Sequence, residues 1–118
     1  MKKLNIVAAG KQYVLKGVDD KFNQAFSKWM EGAETIVKEG YKDAPNINPK
    51  LSYMDGKKYV RIVKEYSQES AFAFIDKTNG DILKTAGWSA PAKGARGNLF
   101  DESNGLRRVT PYGIEYNR

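Results

Sequence analysis

Three clusters of residues have the side-chain types needed to recognise a polyanion. Lys57, Lys58, Tyr59 and Arg61 fall within five positions; Trp88, Lys93 and Arg96 lie in the small-residue segment Lys84 to Asn98; Arg107 and Arg108 precede Tyr112 and Tyr116. Lysine and arginine neutralise phosphates, whereas Trp88 and Tyr59 offer faces on which a base can stack. Gly87, Gly94 and Gly97 would let the backbone approach a phosphate closely. Gly94-Ala95-Arg96-Gly97 matches no phosphate-loop fingerprint, because Lys93 precedes its glycines and no helical period follows. Read as structure instead, Trp88 plugs one end of the core and the glycines permit tight bends. The arginine and tyrosine mixture near the end equally suits a protein interface, where both types are enriched.

Catalytic chemistry is poorly provided for. The chain has no histidine and no cysteine, which removes imidazole bases, thiol nucleophiles, disulfides and the usual zinc ligand sets. Asp76 and Asp81 flank one turn, with Lys77 beside them, and read as turn chemistry. Glu34 and Lys38 are spaced as a surface pair on a helix. The expectation is a non-enzymatic protein with no cofactor, no metal and no small-molecule substrate.

The totals bound the rest. At 118 residues the chain fits a single domain over 1–118, and its formal charge of +6 favours polyanionic partners. No block of like charge occurs, so any basic patch must be assembled by the fold. Met1 to Gly10 begins like a secretory signal, but Asn5 interrupts the apolar run and Lys11 and Gln12 end it. The run is also too short for a membrane span, so a soluble, uncleaved protein with no membrane partner is expected.

The positioning elements follow from periodicity. Phe22, Phe26, Trp29, Ala33 and Ile36 recur at helical spacing, predicting an amphipathic helix over 20–40, opened by Asp19 or Asp20 and closed by Gly40 in a left-handed conformation. Ala44 to Pro49 is a connector. Asp55-Gly56 marks a hairpin, and the β-branched and aromatic runs after it predict a four-stranded antiparallel meander over 51–85. Val60, Ile62 and Tyr66, with Phe72, Phe74 and Ile82, would face the helix; Tyr59, Arg61, Val63 and Glu65 would lie on the other, open face. Residues 2–16 read as a hairpin around Ala9-Gly10-Lys11 or a short helix. Periodicity then stops, leaving 86–118 as a long irregular segment that wraps over the domain or orders on a partner. The fold class is α+β, one helix packed on the meander.

Gly80 to Lys84, followed by Trp88, Ala90-Pro91, Lys93 and Ala95-Arg96-Gly97-Asn98, resembles a segment of small uncharacterised proteins of tailed bacteriophages. That resemblance, spanning roughly 58–113, implies expression in the bacterial host cytoplasm and an accessory role in nucleic-acid transactions, host-protein binding or virion assembly. Phe72 to Leu83 also resembles the strand, turn and strand of peptidase-propeptide-like domains, which bears on architecture alone. Two functions are expected. In one, the protein binds nucleic acid through Lys57, Lys58, Arg61, Lys93, Arg96, Arg107 and Arg108, with Tyr59 and Trp88 stacking. In the alternative it is a protein-interaction module, a homo-oligomer, host-factor inhibitor or virion component, using the C-terminal segment.

Overall fold

The computed structural model describes residues 5–7 and 10–115, with side chains from residue 13 onward. Tyr116, included in the aromatic tail above, lies outside them. Helix α1 (Asp20–Gly40) forms where the apolar spacing of 3.6 begins and buries Phe22, Phe26, Trp29, Met30, Ala33 and Val37 on one face. Asp19 is its N-cap: the Asp19 carboxylate accepts from the Phe22 amide at 2.9 Å, satisfying one of the free N–H groups of the first turn. Gly40 does not close the helix in a left-handed conformation. It is the last helical residue, and Tyr41 caps with φ −112°. Both helix glycines serve instead as seats: a Cβ at Gly32 would stand 2.5 Å from Leu106 Cδ1, and one at Gly40 would collide with the Pro111 ring.

Five strands, not four, make the main sheet: β3 (Lys50–Asp55), β4 (Tyr59–Glu65), β5 (Glu69–Asp76), β6 (Asp81–Thr85) and β7 (Pro91–Asn98), antiparallel and in chain order. They follow the N-terminal pair β1 (Asn5–Val7) and β2 (Gly10–Gln12), which is the hairpin option, with Gly10 and Lys11 in its second strand. Strand β7 lies inside the segment expected to be irregular. Its pairing with β6 breaks register twice, and Gly94 has φ 93°, so the period-two pattern that identifies a strand is lost. The chain then forms a second small hairpin, β8 (Val109–Thr110) and β9 (Gly113–Ile114). Among the described residues, 86–115 hold three strands joined by turns, so the segment expected over 86–118 is not irregular throughout.

The helix stripe packs on Leu51, Val60, Ile62, Ala73, Ile75 and Ile82, and Leu15, Leu99, Val109 and Ile114 close the core. Phe74 is not on this face. Ile62 pairs with Ala73 but Val63 pairs with Ala71, so Phe72 is an extra residue in a bulge. Phe72 and Ala73 both join the core, and Phe74 turns to the opposite face, opposite Arg61. Tyr66 lies past the end of β4, half exposed, and meets Tyr41 rather than the core. Glu34 forms no ion pair with Lys38; its carboxylate accepts the outward amide of Leu51 on the edge strand β3 at 3.2 Å.

The turn after β7 is organised by one carboxylate. Asp101 accepts from the Ser103 amide and hydroxyl, both at 2.8 Å, from the Gly105 amide at 2.9 Å and from the Asn98 amide at 3.1 Å. Partial burial pushes its carboxyl upward, but the hydrogen bonds from Gly105, Ser103 and Asn98 outweigh it and hold the group below the ordinary carboxylate value. A depressed folded-state value gives stability that is present above the unfolded-state pKa of about 3.9 and lost as pH falls through the lower folded-state value. Asp101→Ala should thus cost about 1 kcal/mol at pH 7, a figure kept low because the group is exposed. Thermal melts of both proteins should converge as the pH is lowered through the acid range, and a constant gap would refute this assignment.

Candidate functional site

Cross-strand pairing lines up Met54, Arg61, Phe74, Leu83 and Ala95, one from each strand, on the sheet face away from α1. Arg61, second in the row, makes most of its contacts. Its guanidinium lies 4.8 Å from the Trp88 ring centroid and 5.8 Å from that of Phe74, and Nη1 donates to Met54 Sδ at 3.2 Å. Its Nε is buried with no hydrogen-bond partner among the described residues. Trp88, 42% exposed, comes from the loop between β6 and β7, which is closed by the Ala86 amide bonding to the Ala90 carbonyl at 2.9 Å. Beside this stack the Tyr59 and Phe74 rings meet edge to face at 6.2 Å, and Lys58 Nζ lies 5.3 Å from the Tyr59 centroid.

Between the two loops lies a cleft of about 360 Å³ lined by Gly56, Lys58, Tyr59, Arg61, Phe74 and Ser89 among others. The rim is built by the hairpin joining β3 and β4. The Gly56 amide bonds to the Tyr59 carbonyl at 3.0 Å, an approach so close that a Cβ on Gly56 would stand 2.7 Å from that oxygen. Lys77 ties the loop down: its amide bonds to the Lys58 carbonyl at 2.8 Å, and its ammonium pairs with Asp55 and donates to the Gly56 carbonyl at 2.9 Å. Asp55 also accepts from the Lys16 amide at 2.8 Å. Asp55, the one acid in the cleft lining among the described residues, is thereby neutralised within the protein. Lys57 and Lys58 form no ion pair among the described residues.

The fold thus brings Lys57, Lys58, Tyr59, Arg61 and Trp88 together. Arg96 is the extra residue of a β7 bulge, between Ala95, paired to Leu83, and Gly97, paired to Ile82; its Nε and Nη1 are buried without partners among the described residues. Lys93 is exposed on the same strand. Arg107 and Arg108 do not join the cleft: they follow Leu106, which packs on Gly32 of α1, so they belong to the helix side of the sheet. Arg107 pairs there with Glu102 at 3.1 Å. Phe74, Met54 and Ser89 were not expected in the site from the sequence. Phe74 reads as a core residue until the bulge is known, and Met54 and Ser89 have no signal in residue type.

Two further surface features stand apart from the cleft. A cavity of about 520 Å³ separates the start of α1 from the turn between β5 and β6, beside Phe100. At the opposite end of the helix, Tyr41 touches Tyr66 and Tyr112, with ring centroids 5.7 and 6.0 Å apart. Lys64 Nζ donates to the Tyr41 hydroxyl and the Pro111 carbonyl, each at 3.1 Å, and Tyr112 is 74% exposed. Among the described residues no group of three or more acidic side chains is placed to hold a metal ion, and no helix is long and apolar enough to cross a membrane.

No curated protein and no solved structure matches the chain. A model of a family of unknown function (DUF7717) matches residues 3–111, and the chain belongs to that family.

Proposed function

We propose that the outer sheet face binds nucleic acid without strong sequence preference, in a non-enzymatic accessory role. Lys57, Lys58 and Arg61 contact phosphates, Lys93 and Arg96 extend the basic surface, and Tyr59 and Trp88 supply stacking faces. One observation carries this reading: a guanidinium held against two aromatic rings, beside a third ring and two lysines with no ion pair among the described residues. Arginine on an aromatic plane next to a basic rim is the combination that single-strand and RNA-binding surfaces use, because it joins backbone neutralisation with stacking. The resemblance to small tailed-bacteriophage proteins fits such a role in an infected bacterial cell.

Fluorescence anisotropy of labelled DNA and RNA oligonucleotides tests it. With three phosphate contacts, affinity should fall about 20- to 40-fold between ~50 and ~200 mM salt. Arg61→Leu should weaken binding at least about tenfold, whereas Arg107→Gln with Arg108→Gln, on the helix side, should change it less than about twofold. An absence of binding at low salt would sink the proposal.

A second reading, a protein interface in the C-terminal segment, has one observation in its favour: the exposed Tyr112 in contact with Tyr41. Much of the remaining segment is docked on its own helix, through Leu106 and Pro111. Light scattering on the same samples separates the two, since an oligomer that Tyr112→Ala dissociates would favour the interface.

A further inference from the structure

We propose that the cleft beside Arg61 is a one-base subsite, so that the ligand of this face is single-stranded nucleic acid and not duplex; the inference rests on the nucleic-acid reading above. At about 360 Å³ the cleft has the size of a small ligand pocket, near the bottom of the range of about 300 to 1,000 Å³. That is room for one base with its sugar. The aromatic wall is Tyr59, braced edge to face by the nearly fully buried Phe74, and a ring face of this kind stacks on any of the bases. Lys57 and Lys58 stand at the rim where the adjoining phosphates would run.

Two electrostatic details favour an anionic guest. Asp55 is already occupied by Lys77 and the Lys16 amide, so the cleft presents no unpaired carboxylate to a phosphate. Arg61 lines the cleft and forms no ion pair among the described residues, so its guanidinium keeps its charge for an incoming phosphate. A base in duplex cannot meet these demands, because both of its faces are covered by neighbours in the stack and its pairing edge by its partner. Only an unstacked base can enter between the two loops.

The test compares a labelled oligothymidylate with a hairpin duplex carrying the same number of phosphates, at ~50 mM salt, where backbone electrostatics contribute alike to both. The single strand should bind about tenfold tighter or more, and Tyr59→Leu should remove that advantage while changing duplex affinity less than about twofold. Uridine monophosphate should compete with the single strand, and inorganic phosphate at the same concentration should not. Lys57→Gln with Lys58→Gln, in an exposed loop where folding is unaffected, should weaken both ligands and flatten their salt dependence. Equal affinity for the two ligands, or a preference that survives Tyr59→Leu in a protein with an unchanged melt, overturns the one-base subsite and leaves the nucleic-acid reading standing. Failure of both ligands to bind overturns that reading itself, and the subsite with it.

Discussion

Trp29→Ala should destabilise the protein by about 3–5 kcal/mol, the cost of emptying a large core site, against a total stability expected to be about 5–15 kcal/mol. Trp29 is fully buried, and its indole Nε1 donates to the Gly105 carbonyl at 3.2 Å, a bond that joins residues 76 positions apart. The residue therefore fills the space between helix and sheet and also holds the turn after β7 onto α1. Trp29→Phe separates these roles: much of the ring volume stays, the donor goes, and the buried carbonyl left without it costs about 1–3 kcal/mol. Urea titrations read both as lower midpoints at unchanged slope. An alanine variant within about 1 kcal/mol of the parent would show that the site collapses freely and that Trp29 does not anchor the turn.

Gly105→Ala should cost about 2–5 kcal/mol through the same contact, approached from the other side. Gly105 has φ 76°, a conformation that costs other residues about 1–2 kcal/mol. Its surroundings are also full: a Cβ would lie 3.0 Å from Ile82 Cγ1 and 3.2 Å from both the Asn98 carbonyl and Trp29 Cδ1. Crowding of this kind adds about 1–3 kcal/mol. Gly94→Ala is the control, since Gly94 has φ 93° but open space around it, and only the conformational part, about 1–2 kcal/mol, should appear. Because Trp29 is one of the atoms in the way, Gly105→Ala should cost less in the Trp29→Ala background than alone, a coupling that a double-mutant cycle measures. Additive losses would mean the two residues act independently.

The helix was legible because its apolar positions recur at one period and Asp19 marks its start, both local properties of the chain. The hairpin around Gly56 and the outward direction of Tyr59 and Arg61 were legible for the same reason: β4 alternates regularly up to Ile62. Lys57, Lys58, Tyr59 and Arg61 could be grouped from the sequence since one turn positions them all. What failed lies beyond local order. Phe74 changes face because of a bulge two residues earlier, and nothing in Ala71-Phe72-Ala73-Phe74 announces an extra residue. Strand β7 has glycines at 94 and 97 and no β-branched residue, so it pairs through its neighbour's backbone and not through any preference of its own. Arg107 and Arg108 look like partners of Arg61 by type, but Gly32 and Gly40 draw their segment onto the helix. That role for a helix glycine is visible only when the opposing side chain is known.

The main sheet pairs each strand with its neighbour in the chain, whereas the segment after Asn98 reaches back to α1 across most of the sequence. Local pairings form more quickly than distant ones, so the meander and the docking of residues 105–111 are expected to belong to different steps of folding. During synthesis, the helix and strands β3 to β7 emerge before the turn that covers Trp29 has been made. Until Gly105, Leu106 and Pro111 arrive, the core is open along one side of the helix. The segment from Gly105 to Pro111 should therefore act as a latch, and in a Trp88→Phe background the Trp29 indole signal should develop on refolding after the backbone signal of the sheet.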